Sequence, residues 1–394
     1  MRLLLVTSRY PWPPRRGDQV RTVQQLDFLA GAHEVTLLTP EPGPDRPAPA
    51  VAGASFLVET YRLGAAAAVV GIGRALLDGS PLQSGLFRSP DLGRKLRALA
   101  PRHDLAILQL VRLALHLDDV GATPVLADLI DSLALNFERR AALDRSSLRP
   151  LLRLEARRLA HAERRLVERA AGALVVSERD RRAVAAGLPE EQGRKLSVVP
   201  LAVEGSVLAA PAEGRPLLAL TGNLGYFPNA DAAAWWLAEV WPALRARRPE
   251  VRVVVAGDRP GRAVRRAVAR AGSGVELMPS PPDLGALLRR ATLALAPLRC
   301  GSGLPIKVLE AWAAEVPVVA SPWAAAGTTC RPGEDLRLAE RPAEWVEAVL
   351  GLLDDPAERQ RLAAAGRRRL AADYAPAVVR ERLLASVEAA VAAA

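Results

Sequence analysis

Short apolar runs alternate with longer amphipathic segments along most of the chain, a pattern that predicts parallel β-sheets covered by helices. The runs are short and rich in Val, Leu and Ile, as strands buried on both faces should be. The first series is RLLLVTS, HEVTLLTP, ASFLVET, DLAILQL, PVLADLID, GALVVSE and LSVVP. The second series, which begins near Leu217, is LLALTGN, VRVVVAG, GVELM, TLALAPL and PVVASP. The predicted fold class is therefore α/β.

A segment rich in Pro, Gly and small residues, Pro200 to Pro216, separates the two series and is typical of a linker. A chain of 394 residues is long for one domain and comfortable for two. We therefore predict two α/β domains, over residues 1–205 and 206–375. A final helical stretch, residues 376–394, is expected to pack back on the first domain. In the helical stretch before GALVVSE, Glu163 interrupts an apolar face, and we expect a buried ion pair with an Arg.

The chain carries 53 Lys and Arg against 43 Asp and Glu, a formal net charge of +10. Three interpretations remain open: a solvated helical surface, weak attraction to an anionic membrane surface, or a phosphorylated substrate. No basic block is interleaved with aromatic residues, so we expect no nucleic-acid partner. Two cysteines are too few for a disulfide framework or a structural zinc site, which favours a cytoplasmic location. No apolar run is long enough to span a bilayer or to act as a signal peptide.

The stretch GSGLPIKVLEAWAAEVPVVAS follows the predicted strand TLALAPL and leads into a predicted helix. In open α/β sheets, ligands bind at the carboxyl ends of strands, and a helix N-terminus there suits phosphate. The glycines have no Cβ, so a ligand can approach the backbone closely. The candidate binding residues of this loop are Gly301, Ser302, Gly303 and Leu304.

Lys307 is one of only three lysines in a chain that otherwise uses arginine. Glu310 lies three residues further on and shares its face of the helix. We predict that the compact ammonium of Lys307 meets a diphosphate and that Glu310 accepts hydrogen bonds from ribose hydroxyls. A surface ion pair is the structural alternative.

Two further strand ends carry ligand-binding candidates. TGNLGYFPNADAAAWW places Gly222, Asn223 and Tyr226 in a loop, and Asn229 is expected to cap the following helix. Gly257 ends the next strand. Neither series carries the GxGxxG fingerprint, so a dinucleotide site is not predicted.

In the first domain, RYPWPPRRGDQVR follows the opening strand and places Arg16, Gly17 and Arg21 where they could meet an anion. A solvated loop is the alternative. DLIDS puts Asp128 and Asp131 at a strand end. We expect Asp131 or Ser132 to cap the next helix rather than to ligate a metal. The four histidines form no zinc motif, and there is no GxSxG elbow.

GSGLPIKVLEAWAAEVPVVAS resembles the donor-site signature of GT-B fold glycosyltransferases, particularly the retaining glycosyltransferase family 4. TGNLGYFPNADAAAWW, VRVVVAGDRPG and TLALAPL stand in the order that this family uses. RYPWPPRRGDQVRTVQQL and HEVTLL resemble the N-terminal start of members that make bacterial exopolysaccharide, and PVLADLIDSLALNFERR and LVVSERD also fit that subgroup. The resemblance implies two Rossmann-like domains facing a central cleft. It also implies hexosyl transfer from a nucleoside-diphosphate sugar to an acceptor hydroxyl, with retention and without a metal ion or other cofactor.

The resemblance assigns roles to individual residues. Glu310 matches the second glutamate of the family's E-x7-E motif, which holds the ribose, and Lys307 matches a diphosphate-binding lysine. Gly17 matches the glycine loop near the phosphates and the acceptor. Where the motif has its first glutamate, this chain has Ser302. The usual Arg/Lys pair after the TGNLGY strand is also missing.

Further features leave the substrate open. The family's histidine after the DLAILQL strand is absent, and Gln109 and Arg112 are the nearest candidates for that place. The resemblance implies a glycan, lipid-linked or small-molecule acceptor; a lipid-linked one would place the protein at the inner face of the plasma membrane. Two alternatives stay open: a nucleotide-sugar epimerase or hydrolase that uses Asp128 and Asp131, and a non-catalytic sugar-nucleotide-binding subunit.

Overall fold

Two parallel β-sheets organise the chain in the computed structural model, which describes residues 1–43, 56–144, 146–205 and 214–394. The chain divides into two structural units. The first comprises Met1–Leu201 and Val379–Ala394, and the second comprises Ala202–Val378. Part of the predicted linker, residues 206–213, lies outside the described residues, as do the first two residues of the predicted strand ASFLVET.

The first unit is built on a seven-stranded sheet in the order β3-β2-β1-β4-β5-β6-β7, with every neighbouring pair parallel. Its strands are β1 Arg2–Val6, β2 Glu34–Pro40, β3 Phe56–Tyr61, β4 Leu105–Gln109, β5 Val125–Ile130, β6 Gly172–Val175 and β7 Leu196–Val198. Its helices are α1 Gly17–Ala30, α2 Ala65–Asp78, α3 Leu82–Leu86, α4 Pro90–Leu99, α5 Leu133–Leu143, α6 Arg149–Arg169, α7 Glu178–Ala185 and α8 Glu190–Gly193, with 3-10 segments at Ala100–Arg102 and Val111–Val120.

The second unit is built on a six-stranded sheet in the order β10-β9-β8-β11-β12-β13, again parallel throughout. Its strands are β8 Leu217–Thr221, β9 Arg252–Gly257, β10 Val275–Pro279, β11 Leu293–Ala296, β12 Val318–Ala320 and β13 Arg337–Leu338. The helices that follow β8 are α9 Phe227–Glu239, α10 Trp241–Arg247, α11 Arg262–Ala271, α12 Leu284–Arg289, α13 Ile306–Ala313, α14 Pro322–Ala325, α15 Pro342–Asp354, α16 Pro356–Tyr374 and α17 Pro376–Ala392.

Both sheets contain the strand order of a Rossmann fold. The next two strands lie on one side of the unit's first strand, and the later strands lie on its other side. The predicted α/β class with two Rossmann-like domains is confirmed, and every predicted strand forms. The two-residue strand β13 was not predicted, because two residues are too few to show a pattern. No helix in the described part of the chain is both long and apolar enough to cross a bilayer.

Glu163 of α6 is buried as expected, but its predicted arginine partner is wrong. Its carboxyl accepts hydrogen bonds from the Ser132 hydroxyl at 2.9 Å and the Ala134 backbone N–H at 3.0 Å. These are groups at the start of α5, where N–H donors lack helical partners. Burial raises the pKa of Glu163 to about 8, against the lowering effect of the two hydrogen bonds. The N-terminus of α5, rather than an arginine, is therefore the partner of the Glu163 carboxyl.

Helix α13 carries both Lys307 and Trp312, and the Trp312 side chain anchors the helix. This indole is fully buried and donates from Nε1 to the Asp335 carbonyl at 3.1 Å. Gly366 of α16 lies against the ring so closely that a Cβ at this position would overlap it. The absence of a side chain at residue 366 therefore sets how near α16 approaches α13.

We expect Gly366→Ala to destabilise the protein by about 1–3 kcal/mol, because the added methyl group overpacks the Trp312 contact. Chemical denaturation of the variant measures this loss. Gly351→Ala is the matched control, since Gly351 is also helical and a Cβ there would meet nothing within 4 Å. The control should match or slightly exceed wild-type stability. Equal stability of the two variants would contradict the packing argument.

Candidate functional site

The carboxyl ends of β8, β9 and β11 meet at one edge of the second sheet. The chain leaves β8 toward α9 and leaves β11 toward α13. Since β9 and β11 lie on opposite sides of β8, this is the switch point of the sheet, where ligands bind in open α/β folds. The predicted donor-binding residues lie at this edge, at the end of β9, in the loops after β8 and β11, and on α13.

Gly222 and Gly257 hold the loops after β8 and β9 against each other. Their φ angles are 136° and 150°, in the region that favours glycine. The Gly222 N–H donates to the Ala256 carbonyl at 3.1 Å, and a Cβ on Gly257 would overlap the Gly222 carbonyl oxygen. Gly257 is thus required for backbone packing under the site, whatever it contributes to a ligand.

The Lys307 ammonium is held by the Asn229 side-chain amide, which in turn bonds to the backbone of Asn223. Its Nζ donates to Asn229 Oδ1 at 2.8 Å, and Asn229 Nδ2 donates to the Asn223 carbonyl at 3.0 Å. A Cβ at Gly222 would lie 3.2 Å from Lys307 Nζ, so the ammonium lies close to the backbone of the loop that follows β8. Asn229 was predicted to be an N-cap, and this is wrong. Helix α9 begins at Phe227 with Tyr226 as its N-cap, which frees the Asn229 amide to orient the lysine.

Lys307 and Glu310 are both half-buried and act on each other's charge. Burial lowers the pKa of Lys307 to about 8, and Glu310 opposes this shift. Burial raises the pKa of Glu310, and Lys307 opposes that shift in turn. The Glu310 carboxyl forms no hydrogen bond with any described residue. The helix therefore presents a cation steadied by one amide and an acid with unused acceptor capacity.

The loop between β11 and α13 is shaped by glycine and tied at one carbonyl. Gly301 and Gly303 have φ angles of 106° and 75°. The Gly301 carbonyl accepts from Trp323 Nε1 at 3.1 Å, and a Cβ on Gly301 would lie 3.2 Å from Pro228 Cγ. Gly303 and Leu304 are buried and Ser302 is half-buried. The loop thus packs on the start of α9, and its two glycines leave their part of the backbone without side chains.

Arg299, which the sequence analysis did not single out, anchors the same loop. Its guanidinium donates to both Asp231 oxygens, at 2.9 and 2.6 Å, and lies 5.4 Å from the ring centre of Trp235. This bidentate geometry is rigid. An Arg directly before Cys300 and Gly301 was visible in the sequence, but nothing there indicated a partner 68 residues away.

In the first unit, the predicted role of Arg21 in meeting an anion is not supported. Arg21 is 2% exposed, and Asp128 is fully buried. Arg21 Nε donates to Asp128 at 2.6 Å, Arg21 Nη1 donates to the Val199 carbonyl at 2.7 Å, and Gln25 donates to the same carboxylate at 2.8 Å. Arg21 and Asp128 therefore form a buried ion pair that ties α1 to β5.

The remaining first-unit candidates lie at the ends of β1, β4 and β5. Arg16 is the N-cap residue of α1, and Gly17 is the first helical residue. The Gln109 side chain accepts from Thr22 at 3.0 Å. Burial lowers the pKa of Arg112 to about 10, with the charge of Arg9 adding to the effect.

Asp131 is half-buried beside Ser132, and Ser132 caps α5 by accepting from the Leu135 N–H at 3.1 Å. The structure thus assigns the predicted cap to Ser132. Among the described residues, no group of three or more His, Cys, Asp or Glu side chains is arranged to hold a metal ion.

Comparison with known proteins bears on both units. Residues 215–355 match the family model described as "Glycosyl transferases group 1", a stretch that falls within the second unit. A search of curated protein sequences gave no significant match.

Solved structures match nearly the whole chain. HepE from Anabaena, solved with UDP and glucose, is 13% identical with a TM-score of 0.70, over 98% of this chain and 99% of that one. Sucrose-phosphate synthase from Thermosynechococcus elongatus is 16% identical with a TM-score of 0.78, over 100% of both chains. The UDP-forming α,α-trehalose-phosphate synthase from Burkholderia vietnamiensis is 16% identical with a TM-score of 0.65, over 98% of this chain and 100% of that one. At these identities the likeness shows the fold, which is that of GT-B glycosyltransferases.

We expect Arg21→Leu to destabilise the protein by about 3–5 kcal/mol, because it leaves the Asp128 charge buried without its partner. Denaturant unfolding measures the loss. Arg2→Leu is the control, because Arg2 pairs with Asp104 at the surface and should contribute at most about 1 kcal/mol. The double variant Arg21→Leu/Asp128→Leu should lose less than the single one. If Arg21→Leu instead keeps full stability and weakens binding of an anionic substrate, the structural role is refuted.

Proposed function

We propose that the protein is a glycosyltransferase that moves a hexosyl group from a nucleoside-diphosphate sugar to an acceptor hydroxyl. One observation carries the proposal. At the switch point of the second sheet, Asn229 orients the Lys307 ammonium beside a Glu310 carboxyl that has unused acceptor capacity. The family match over residues 215–355 supports the same reaction class. The HepE structure with UDP and glucose makes a UDP-sugar the first donor to test.

In this proposal the protein acts by position and charge. Lys307 contacts the diphosphate and stabilises the negative charge that develops on the leaving nucleoside diphosphate. Unpaired N–H groups at the start of α13 add a partial positive charge at the same place. Glu310 accepts hydrogen bonds from the ribose hydroxyls. The transfer proceeds with retention and needs no metal ion, because Lys307 and the helix terminus supply the positive charge.

The acceptor is proposed to be a glycan or a lipid-linked sugar, as in the exopolysaccharide subgroup of glycosyltransferase family 4 that the sequence resembles. A lipid-linked acceptor would bring the protein to the inner face of the plasma membrane, and the excess of basic residues fits an anionic surface.

A second candidate, a non-catalytic sugar-nucleotide-binding subunit, is favoured by Ser302, which stands where the family has a glutamate. A screen of nucleoside diphosphates by thermal shift, followed by turnover assays with the matching sugars, separates the two. Selective stabilisation would identify the base. Sugar transfer would support the enzyme, whereas binding without turnover on any acceptor would support the subunit. An epimerase or hydrolase is less supported, because Asp128 is already engaged by Arg21 and Gln25.

We expect Lys307→Ala to lower kcat about 10²–10³-fold at saturating donor, as removal of one preorganised charge-stabilising donor does in other enzymes. Lys95→Ala is the control, because Lys95 is another lysine with a hydrogen-bonded ammonium, which donates to Glu59, and it lies in the other unit. Its kcat should stay at the wild-type value. A Lys307→Ala rate within a factor of two or so of wild type would remove Lys307 from the mechanism.

The lowered pKa of Lys307 predicts a pH dependence. The ammonium is charged below about pH 8 and loses its proton as the pH rises through that value, so kcat/KM should fall above about pH 8. Lys307→Arg should be slower but should lack this fall, since guanidinium stays charged. A fall of equal size in both variants would assign the titration to another group.

The same shift has the opposite effect on stability. The unfolded chain keeps the proton on Lys307 to about pH 10. Unfolding therefore takes up a proton between about pH 8 and pH 10, so the cost of burying the Lys307 charge falls away and the stability of the folded protein rises with pH through that window.

A further inference from the structure

Arg112, at the carboxyl edge of the first sheet, has a guanidinium that the described residues leave largely without hydrogen bonds. It lies three residues after the end of β4, and its side chain is 12% exposed. Its Nη1 is buried and donates to no described residue, and its Nε reaches the Gln83 side chain only at 3.4 Å. The Phe87 ring centre lies 5.1 Å from Cζ. Since buried polar groups ordinarily have their hydrogen bonds satisfied, Arg112 has donors to offer a ligand.

One carboxylate serves two guanidinium groups at this edge. Asp18 Oδ2 accepts from Arg9 Nη1 at 2.6 Å and lies 3.7 Å from Arg112 Nη1, beyond hydrogen-bond distance. The pKa of Arg112 is lowered by burial and by the charge of Arg9, and Asp18 opposes this only in part. Asp131 and Arg16 also act on Arg112, with opposite signs. Arg9 and Arg112 therefore keep an excess of one positive charge over Asp18.

Two buried side chains beside these charges also have an atom without a protein partner. Ser8 and Gln109 leave the adjacent strands β1 and β4 at the same edge. Each is 2% exposed, and neither Ser8 Oγ nor Gln109 Nε2 forms a hydrogen bond with any described residue. The other end of the Gln109 amide accepts from Thr22, one turn after Asp18 on α1. The polar groups without partners thus gather around the start of α1, where the excess charge lies.

We propose that this edge of the first unit binds an acidic group, a carboxylate or a phosphate, carried by the acceptor sugar, with Arg112 as its main contact. The inference rests on the proposed sugar transfer only for the molecule that carries the acid. Carboxylate and phosphate oxygens match the fixed geometry of guanidinium donors and supply the negative charge that Arg9 and Arg112 share too little of. Gln109 Nε2 is a further donor for the same group.

The depth of Arg112 favours a small acid over a neutral sugar or an extended anionic surface. The Arg9 side chain is 31% exposed and that of Arg112 is 12% exposed, so the charge lies beneath the surface. A flat polyanion would contact exposed arginines instead, whereas one acid on a sugar can reach a recessed guanidinium. A neutral hydroxyl would accept a hydrogen bond but would leave the excess charge uncompensated.

Isothermal titration calorimetry on the full-length protein tests the proposal. Glucose 6-phosphate, glucuronate and glucose are titrated separately, without nucleotide sugar and at constant ionic strength. We expect at least one of the two acids to bind about tenfold or more tightly than glucose, because a buried charge-assisted hydrogen bond contributes roughly that factor. Tighter binding of glucose 6-phosphate would identify a phosphate as the acid, and tighter binding of glucuronate would identify a carboxylate.

Variants locate the acid. Arg112→Met should lower its affinity about tenfold or more, and Arg112→Lys, which keeps the charge but not the planar fork, should lose less. Arg94→Met is the matched control, because Arg94 lies in the same unit, pairs with Asp91 at the surface and carries the same charge. Lys307→Ala removes a cation from the other unit. Arg94→Met and Lys307→Ala should both bind the acid as the wild type does.

Thermal unfolding separates ligand binding from a structural role. Removal of Arg112 leaves Asp18 bonded to Arg9, so no carboxylate loses its only partner. Arg112→Met should therefore melt at the wild-type temperature or above it, because an apolar side chain replaces a charge that the protein does not fully compensate. Arg21→Leu, which leaves Asp128 buried without its cation, should melt at a lower temperature.

Three results would overturn the proposal. They are affinities for both acids no higher than for glucose, a loss of acid binding in Arg94→Met or Lys307→Ala as large as in Arg112→Met, or a melting temperature of Arg112→Met as low as that of Arg21→Leu. No donor is present in these measurements, so the acid can bind even if sugar transfer fails. Conversely, transfer to a neutral acceptor at a rate that Arg112→Met leaves unchanged would refute the acid site and keep the glycosyltransferase.

Discussion

The hydrogen bond from Lys307 to Asn229 joins the two helices that begin at the switch point of the second sheet. Helix α9 follows β8 and helix α13 follows β11, so this bond links two neighbouring strand-to-helix turns. A Cβ at Gly222 would lie only 3.2 Å from the ammonium, and a Cβ at Gly257 would overlap the Gly222 carbonyl, so both glycines leave room for this arrangement. One lysine position thus depends on two glycines from different strands.

The protein alone does not fully compensate the buried charge of the Lys307 ammonium at this edge. A half-buried ammonium is disfavoured by lost hydration, and Glu310 and the neutral Asn229 amide offset this only in part, because the pKa remains below its ordinary value. A dianionic ligand beside Nζ would supply the missing compensation. The same reasoning explains why lysine suits this position: its charge is concentrated at one atom, within reach of both an amide and a ligand oxygen.

The sequence predicted what depends on local pattern. Buried parallel strands appear as Val- and Leu-rich runs, and Lys307 and Glu310 share a face because helical spacing requires it. Pairings between distant segments have no such local signal, which is why the bonds of Arg299 with Asp231 and of Arg21 with Asp128 were not foreseen. Asn229 shows the intermediate case. Its place near a helix start was predicted, but whether it caps the helix or orients a lysine depends on a residue 78 positions away.

The two sheets carry different charge arrangements at their carboxyl edges, and this difference bears on the proposed anion-binding site. In the first unit, two of the arginines that follow β1 are paired internally: Arg9 bonds to Asp18 at 2.6 Å and Arg21 to Asp128 at 2.6 Å. In the second unit, Arg299 is likewise bound to Asp231, but Lys307 is held by a neutral amide and keeps its charge uncancelled by a direct ion pair. Carboxylates that already bind guanidinium groups weaken the attraction of those groups for phosphate, so the uncancelled ammonium supports the proposal that a diphosphate binds at the second edge.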